Sequence, residues 1–292
     1  MLAETGIGTL RKSMMSKQYV VTGHNLSHVW AAAFLAAWQP GKNDMAPLIV
    51  TITGLDEEDG PRENHTIRGA VDDSLLSLGT ELSVNTVAST IFPASLWNPR
   101  RPRRELYARF DRIWPKVNKC PANRLGHYFR RLTQFDPNDT HSNQLEYIIK
   151  TYLGGNNRRS ALQAALLDPA RDHTDNHQRG FPCLQQVAFT WLGRREMCVT
   201  GFYGLQYLFQ RAYGNYLGLC RLGRFMAHEM GLKLTRMTCV ASAATLTGGK
   251  PGKGALATLA GVVQNALPSG ATGGQSDVGR SQGSPVQAMW MS

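Results

Sequence analysis

Cysteine is scarce in this chain. The five residues Cys120, Cys183, Cys198, Cys220 and Cys239 are odd in number, widely spaced and without a C-x-x-C pair. That spacing excludes a disulfide scaffold and a structural zinc site. In a reducing compartment most such cysteines are small buried hydrophobes, and at most one is chemically special. Long apolar runs are also missing: the longest, residues 29–38, falls short of the roughly 18 residues a membrane helix needs. Residues 1–17 lack the basic cap, apolar stretch and small cleavage residues of a signal peptide, so the expectation is a cytoplasmic protein with no membrane contact. No heptad or solenoid repeat occurs. His24 and His28 stand at i and i+4, but no third ligand accompanies them, so no metal is expected.

Acidic residues are the minority charge, with 21 Asp and Glu against 32 Lys and Arg and a formal net charge of +11. Such a balance suits an anionic partner, whether a phosphate ester, a polyanionic tail or nucleic acid. The densest basic run is Arg100, Arg101, Arg103 and Arg104. No aromatic residue interleaves it, so it reads better as a solvated loop feeding a helix over 106–113 than as a nucleic-acid patch.

What is present is a mixture of helix and strand patterns. Residues 25–38 have helical character, with Asn25 as cap and Pro40-Gly41 as stop. Residues 47–53 are β-rich. Helical patterns follow over 67–78, 86–97 and 141–153, while 161–167 suits strand or helix. Two strands, 187–191 and 197–202, flank the turn Gly193-Arg194-Arg195. A long helix over 210–230 stops at Gly231, and 234–241 reads as a last core strand. From Thr247 the composition turns to Gly, Ser, Ala and Gln. One short helix fits 254–267, and 268–286 reads as disordered. The organisation expected is an α+β domain over 17–247 with a largely disordered tail over 248–292.

Three segments, in order, carry a family likeness. Asn143-Gln144-Leu145 precedes a helix and then Asn157-Arg158-Arg159. Phe181-Pro182-Cys183 follows, and residues 225–232 close a helix before the last strand. A weaker fourth segment is Leu125-Gly126-x-Tyr128-x-x-Arg131. In order and spacing these resemble the D-Q-L…S-R-R, P-P-C and L-G-P-x-Y-G-x-Q-x-R segments of the thymidylate synthase and deoxycytidylate hydroxymethylase superfamily.

The resemblance implies a three-layer fold in which helices pack a mixed sheet, with a homodimer formed through that sheet. It implies transfer of a methyl or hydroxymethyl unit from 5,10-methylenetetrahydrofolate to C5 of a dUMP-like or CMP-like pyrimidine nucleotide. Cys183 would be the nucleophile, since C5 is a poor nucleophile until a thiolate adds to C6. Arg158 and Arg159 would reach a phosphate across the dimer interface, as paired guanidinia can. Asn215, which offers donor and acceptor together, would read the base, and Tyr128 would stand near the site. Taken without the family, Arg158 and Arg159 equally suit a solvated turn and Asn215 equally suits a polar helix position.

The sequence also departs from the family. Leu184 stands where the family has histidine. The stretch 202–208 carries no arginine or aspartate in place of Q-R-S-x-x-D, which leaves Arg211 as the replacement charge. The run 242–247 has neither the histidine nor the tyrosine of G-D-x-H-x-Y, and 86–97 has no glutamate. Each buried ligand group left without a partner costs ~1–3 kcal/mol, so a non-standard nucleotide fits better than dUMP. The alternative is a catalytically silent protein of the same fold that binds nucleotide or nucleic acid. Asp168 falls near a donor-binding position, and His173 and His177, with Asp172 and Asp175, occupy a polar loop before Cys183.

Overall fold

Two strand–helix–strand units make the centre of the fold in a computed structural model. It describes residues 18–39, 44–56, 60–79, 82–120, 123, 127–136, 139, 141–156, 158–173, 175, 182–249 and 253–267. In the first unit β1 (Tyr19–Gly23), α1 (Leu26–Trp38) and β3 (Leu48–Ile52) set β1 and β3 parallel. In the second, β8 (Glu196–Tyr207), α8 (Tyr213–Glu229) and β9 (Lys233–Thr245) do the same. Parallel neighbours need such a crossover, and here each helix supplies it. β3 meets β9 antiparallel. The hairpin of β7 (Leu184–Gly193) with β8, then β6 (Gln163–Ala165), extends the sheet to seven strands, in the order β1-β3-β9-β8-β7-β6 with β2 (Asp44–Met45) also on β9. β4 (Leu55–Asp56) and β5 (Gly60–Pro61) form a separate pair.

Local chemistry places the helices. Asn25, Asn64, Ser83 and Asn143 cap α1, α2 (His65–Ser77), α3 (Val84–Ile91) and α6 (Gln144–Leu153), each side chain accepting a backbone N–H of the first turn. The single helix expected over 86–97 is instead α3 and a 3-10 turn over Ala94–Leu96. Pro93 forces Phe92 into extended backbone and ends α3. α4 (Arg104–Val117) follows the basic run. Arg103 is no solvated loop residue, because its guanidinium grips Glu146 of α6 at 2.7 and 2.9 Å and Glu229 of α8 at 3.4 Å.

Register sorts the sheet into two faces. The rows Leu48, Ala241, Tyr203, Leu184 and Val50, Cys239, Gly201, Val187, Ala164 are buried, with α1 and α8 packed on that side. The alternate rows are Val20, Ile49, Val240, Phe202, Gln186, Ala165 and Thr22, Thr51, Thr238, Thr200, Ala188, Gln163. Every residue in them is half-buried or exposed. Val20 is 57% exposed and Phe202 38%, so this face carries apolar side chains that no described helix covers.

Outside α1 and α8 lies a further tier that includes α2, α3 and α6. α3 comes so close to α8 that a Cβ on Gly214 would stand 2.5 Å from Val87 Cβ, which is why a long buried helix carries glycine there. α9 (Lys253–Ala266) fulfils the short helix expected in the tail, and its Leu259 and Val263 join the core. The folded body therefore extends past Thr247 to Leu267, while the rest of the proposed tail lies outside the described residues. No helix among the described residues is long and apolar enough to cross a membrane.

Candidate functional site

Of the five thiols, Cys198, Cys220 and Cys239 are buried, Cys120 is exposed, and Cys183 alone is half-buried. Cys183 sits immediately before β7, where its carbonyl accepts from the Gly204 N–H at 3.0 Å and so ties it to β8. Tyr128, the first residue of α5 (Tyr128–Thr133), brings its Oη to 3.5 Å from the Leu184 N–H. Burial raises the Cys183 thiol above the ordinary range, and the charge of Arg211 pulls it back down. Tyr128 is raised by its own burial and then by Cys183, and Arg211 opposes that rise too. Cys183, Tyr128 and Arg211, expected to share a site, are thus electrostatic neighbours.

Arg211 reaches this place because a π-helical turn over Leu208–Ala212 joins β8 to α8. Such turns inside helices recur at functional positions. Asn215 is 4% exposed, and its side chain hydrogen-bonds to no other described residue. Leu219 packs on Gly201, where an added Cβ would stand 2.7 Å from it. Asn215 lies one turn before Leu219 on α8.

Sequence reasoning passed over Tyr203, noting only that its stretch lacked arginine and aspartate. It is fully buried, its hydroxyl has no hydrogen-bond partner among the described residues, and burial raises it first, with Cys239, Tyr128 and Cys183 adding to the effect. The strand alternation of Val199, Gly201 and Tyr203 was the signal that places it inward. Also passed over was the pair of Arg131 with Asp172, bidentate at 2.6 Å with both side chains 7% exposed. Burial favours a neutral Asp172, but the Arg131 hydrogen bonds and the Asp168 N–H outweigh it and hold the carboxylate low. Asp172 is therefore no member of a solvated loop. It pins α7 (Pro169–Asp172), the segment leading toward Cys183, to α5.

Arg158 and Arg159 stand elsewhere. Both are exposed, at the 3-10 turn Arg159–Ala161 that enters β6. Leu162 accepts from the Phe189 N–H at 2.9 Å, which sets the pair beside the far half of β7, roughly 20 Å along the strand from Cys183 at ~3.3 Å per residue. Within one chain they do not join the thiol. Asp168 caps α7 through Ala170 N–H and pairs with Arg171, so its carboxylate is already engaged. His24 bonds Thr53 Oγ1 at 2.8 Å. His28 is half-buried, and that burial lowers its pKa. Among the described residues no group of His, Cys, Asp or Glu is arranged to hold a metal. Asn157, Phe181, Leu125, Gly126 and His177 lie outside the described residues.

No family model matches this chain, and no curated protein matches it by sequence.

Proposed function

We propose that the protein is a divergent thymidylate-synthase-like transferase that moves a methyl or hydroxymethyl unit to C5 of a pyrimidine nucleotide. The observation that carries this reading is the grouping of Cys183, the half-buried thiol, with Tyr128 and Arg211 at the mouth of a β-hairpin. In the reaction the Cys183 sulfur bonds to C6, and the C5–C6 π pair moves onto C5 and the ring carbonyl. C5 then takes the one-carbon unit. Loss of the C5 proton expels the carrier's nitrogen and leaves an exocyclic methylene; addition there of water for a hydroxymethyl product, or of a hydride that the reduced folate would supply for a methyl product, breaks the S–C6 bond and frees the thiolate. Arg211 stabilises the sulfur anion and the phosphate region, Tyr128 places a hydroxyl beside the sulfur, and Asn215 meets the base edge with an unspent amide.

The one-carbon donor implied by the resemblance is 5,10-methylenetetrahydrofolate. The one described residue expected near it, Asp168, is spent on the α7 cap and on Arg171, which does not suit donor binding. No step is therefore assigned to donor-binding residues. The open sheet face, with Val20, Ile49, Val240 and Phe202 in one row, supports a homodimer through the sheet. A two-fold that reverses strand direction would carry Arg158 and Arg159 of one protomer toward the Cys183 end of its partner.

The test is incubation of the protein with dUMP, dCMP, UMP and CMP and labelled methylenetetrahydrofolate. One nucleotide gains label, and Cys183→Ala gains none. If no nucleotide gains label, the transferase reading fails. The raised Cys183 thiol and the exposed Arg158 and Arg159 favour one alternative, a silent protein that binds nucleotide or nucleic acid. Binding without turnover, with a steep salt dependence, is its signature. In sedimentation the wild type is a dimer and Phe202→Glu a folded monomer.

A further inference from the structure

The opposite end of α8 borders a cavity away from Cys183. A cavity of about 140 Å³ is bounded by the β4–β5 pair, by Trp97 and by the last turns of α8. It lies roughly 20 Å along the helix from Arg211, at ~1.5 Å per residue. Leu55, Ala227 and Leu234 give it an apolar floor. On its wall the Arg224 guanidinium lies over the Trp97 ring, 5.8 Å from the centroid.

Charge in this region is unevenly committed. Asp56, on the cavity rim, pairs with Arg62 at 3.5 Å. Glu229 is shared by Arg103 at 3.4 Å and His228 at 3.2 Å. Arg224 pairs with no carboxylate among the described residues. Its face is spent on the indole, while its N–H edge is the part suited to a planar anion. A half-buried cation beside an apolar floor suits a small molecule, with the floor for the body and a charged group for orientation; Lys233 and His228 also line the cavity.

We infer that this cavity binds a small monocyclic carboxylate, with its ring on the apolar floor and its carboxylate on Arg224. The volume matches one ring, since a dry protein cavity of about 150 Å³ admits benzene. Neutral rings lose the charge-assisted bond, and bare inorganic anions lose the floor.

The test is calorimetric titration of the full chain with benzoate, benzamide and inorganic phosphate. Benzoate saturates one site, benzamide binds at least about tenfold more weakly, and phosphate does not compete. Arg224→Gln weakens benzoate about 10- to 100-fold, the worth of one charged hydrogen bond, and leaves benzamide unchanged. Cys183→Ala binds benzoate as wild type does, which separates this site from the transferase reading. Ala227→Leu, whose longer side chain enters the cavity, blocks benzoate with Arg224 intact and serves where Arg224→Gln does not fold. Equal binding of benzoate and benzamide, competition by phosphate, or unchanged benzoate affinity in both variants overturns the proposal.

Discussion

Cys183 and Cys239 stand on the same sheet, two strands apart, yet their surroundings give them opposite characters. Cys239 lies inside β9 at 1% exposure, takes a hydrogen bond from Gln206 Nε2 at 3.5 Å, and is pushed up to about 12, chiefly by burial. Gln206 is itself held by the Tyr216 hydroxyl at 2.9 Å, which closes the pocket. Cys183 stands just outside its strand, half-buried, with the Arg211 charge acting on it. A thiol becomes a nucleophile through access and a nearby cation. Only one of these two has both.

The largest expected contrast is chemical. Cys183→Ala abolishes label transfer to the nucleotide, whereas Cys239→Ala keeps it, and in the native protein iodoacetamide modifies Cys183 and Cys120 while mass spectrometry finds Cys239 and Cys220 untouched. Equal labelling of Cys183 and Cys239 would erase the distinction. Next in size is the buried pair that ties α7 to α5. Arg131→Met leaves the Asp172 carboxylate buried without its partner, and removing one member of a buried pair costs ~3–5 kcal/mol. Denaturant unfolding reads that loss. Because the Asp172 pKa is lowered on folding, the pair's contribution is present above the ordinary carboxylate range and is lost as pH falls through the folded value. The deficit of the variant therefore shrinks in acid.

Part of this contrast was legible in the chain itself. The helices capped by Asn25 and Asn143, the hairpin around Gly193 and the stop at Gly231 follow from local patterns that tertiary packing does not overrule. The sequence singles out Cys183, Tyr128 and Arg211, although nothing local says that a turn at 208–212 brings Arg211 toward the sulfur. The Arg131–Asp172 and Arg103–Glu146 pairs link residues 41 and 43 positions apart, and charge patterning sees only neighbours. Pro93 is a break that the apolar run around it hides. That Arg158 and Arg159 lie far along β7 from Cys183 depends on which strand β6 pairs with, which composition does not encode.

The alkaline limb of stability separates the two thiols a second way. Unfolded Cys239 ionises near the ordinary thiol pKa of ~8.5, while the folded thiol holds its proton up to about 12. Between those values the unfolded chain binds fewer protons, so stability falls as pH rises, by at most about 1.4 kcal/mol per pH unit for one thiol. Cys239→Ala removes that slope and keeps about 2 kcal/mol that the wild type loses by pH 10. Parallel urea titrations at pH 8 and pH 10 measure the difference. If both chains lose stability equally, Cys239 is not the sealed group described.

The smallest effect is the most specific to the site. Burial raises the Cys183 thiol and Arg211 lowers it, so Arg211→Gln leaves burial unopposed and moves the ionisation upward. Alkylation consumes thiolate, so at pH 8 the variant reacts several-fold more slowly, and its rate profile shifts to higher pH with the same plateau. Arg211→Lys keeps a positive charge near the sulfur and recovers most of the rate, which a loss of packing alone would not do. Cys120 serves as the internal reference: it is exposed at the surface and its rate stays constant across the series. An Arg211→Gln profile that overlays the wild type would remove Arg211 from the site and leave Cys183 without its cation.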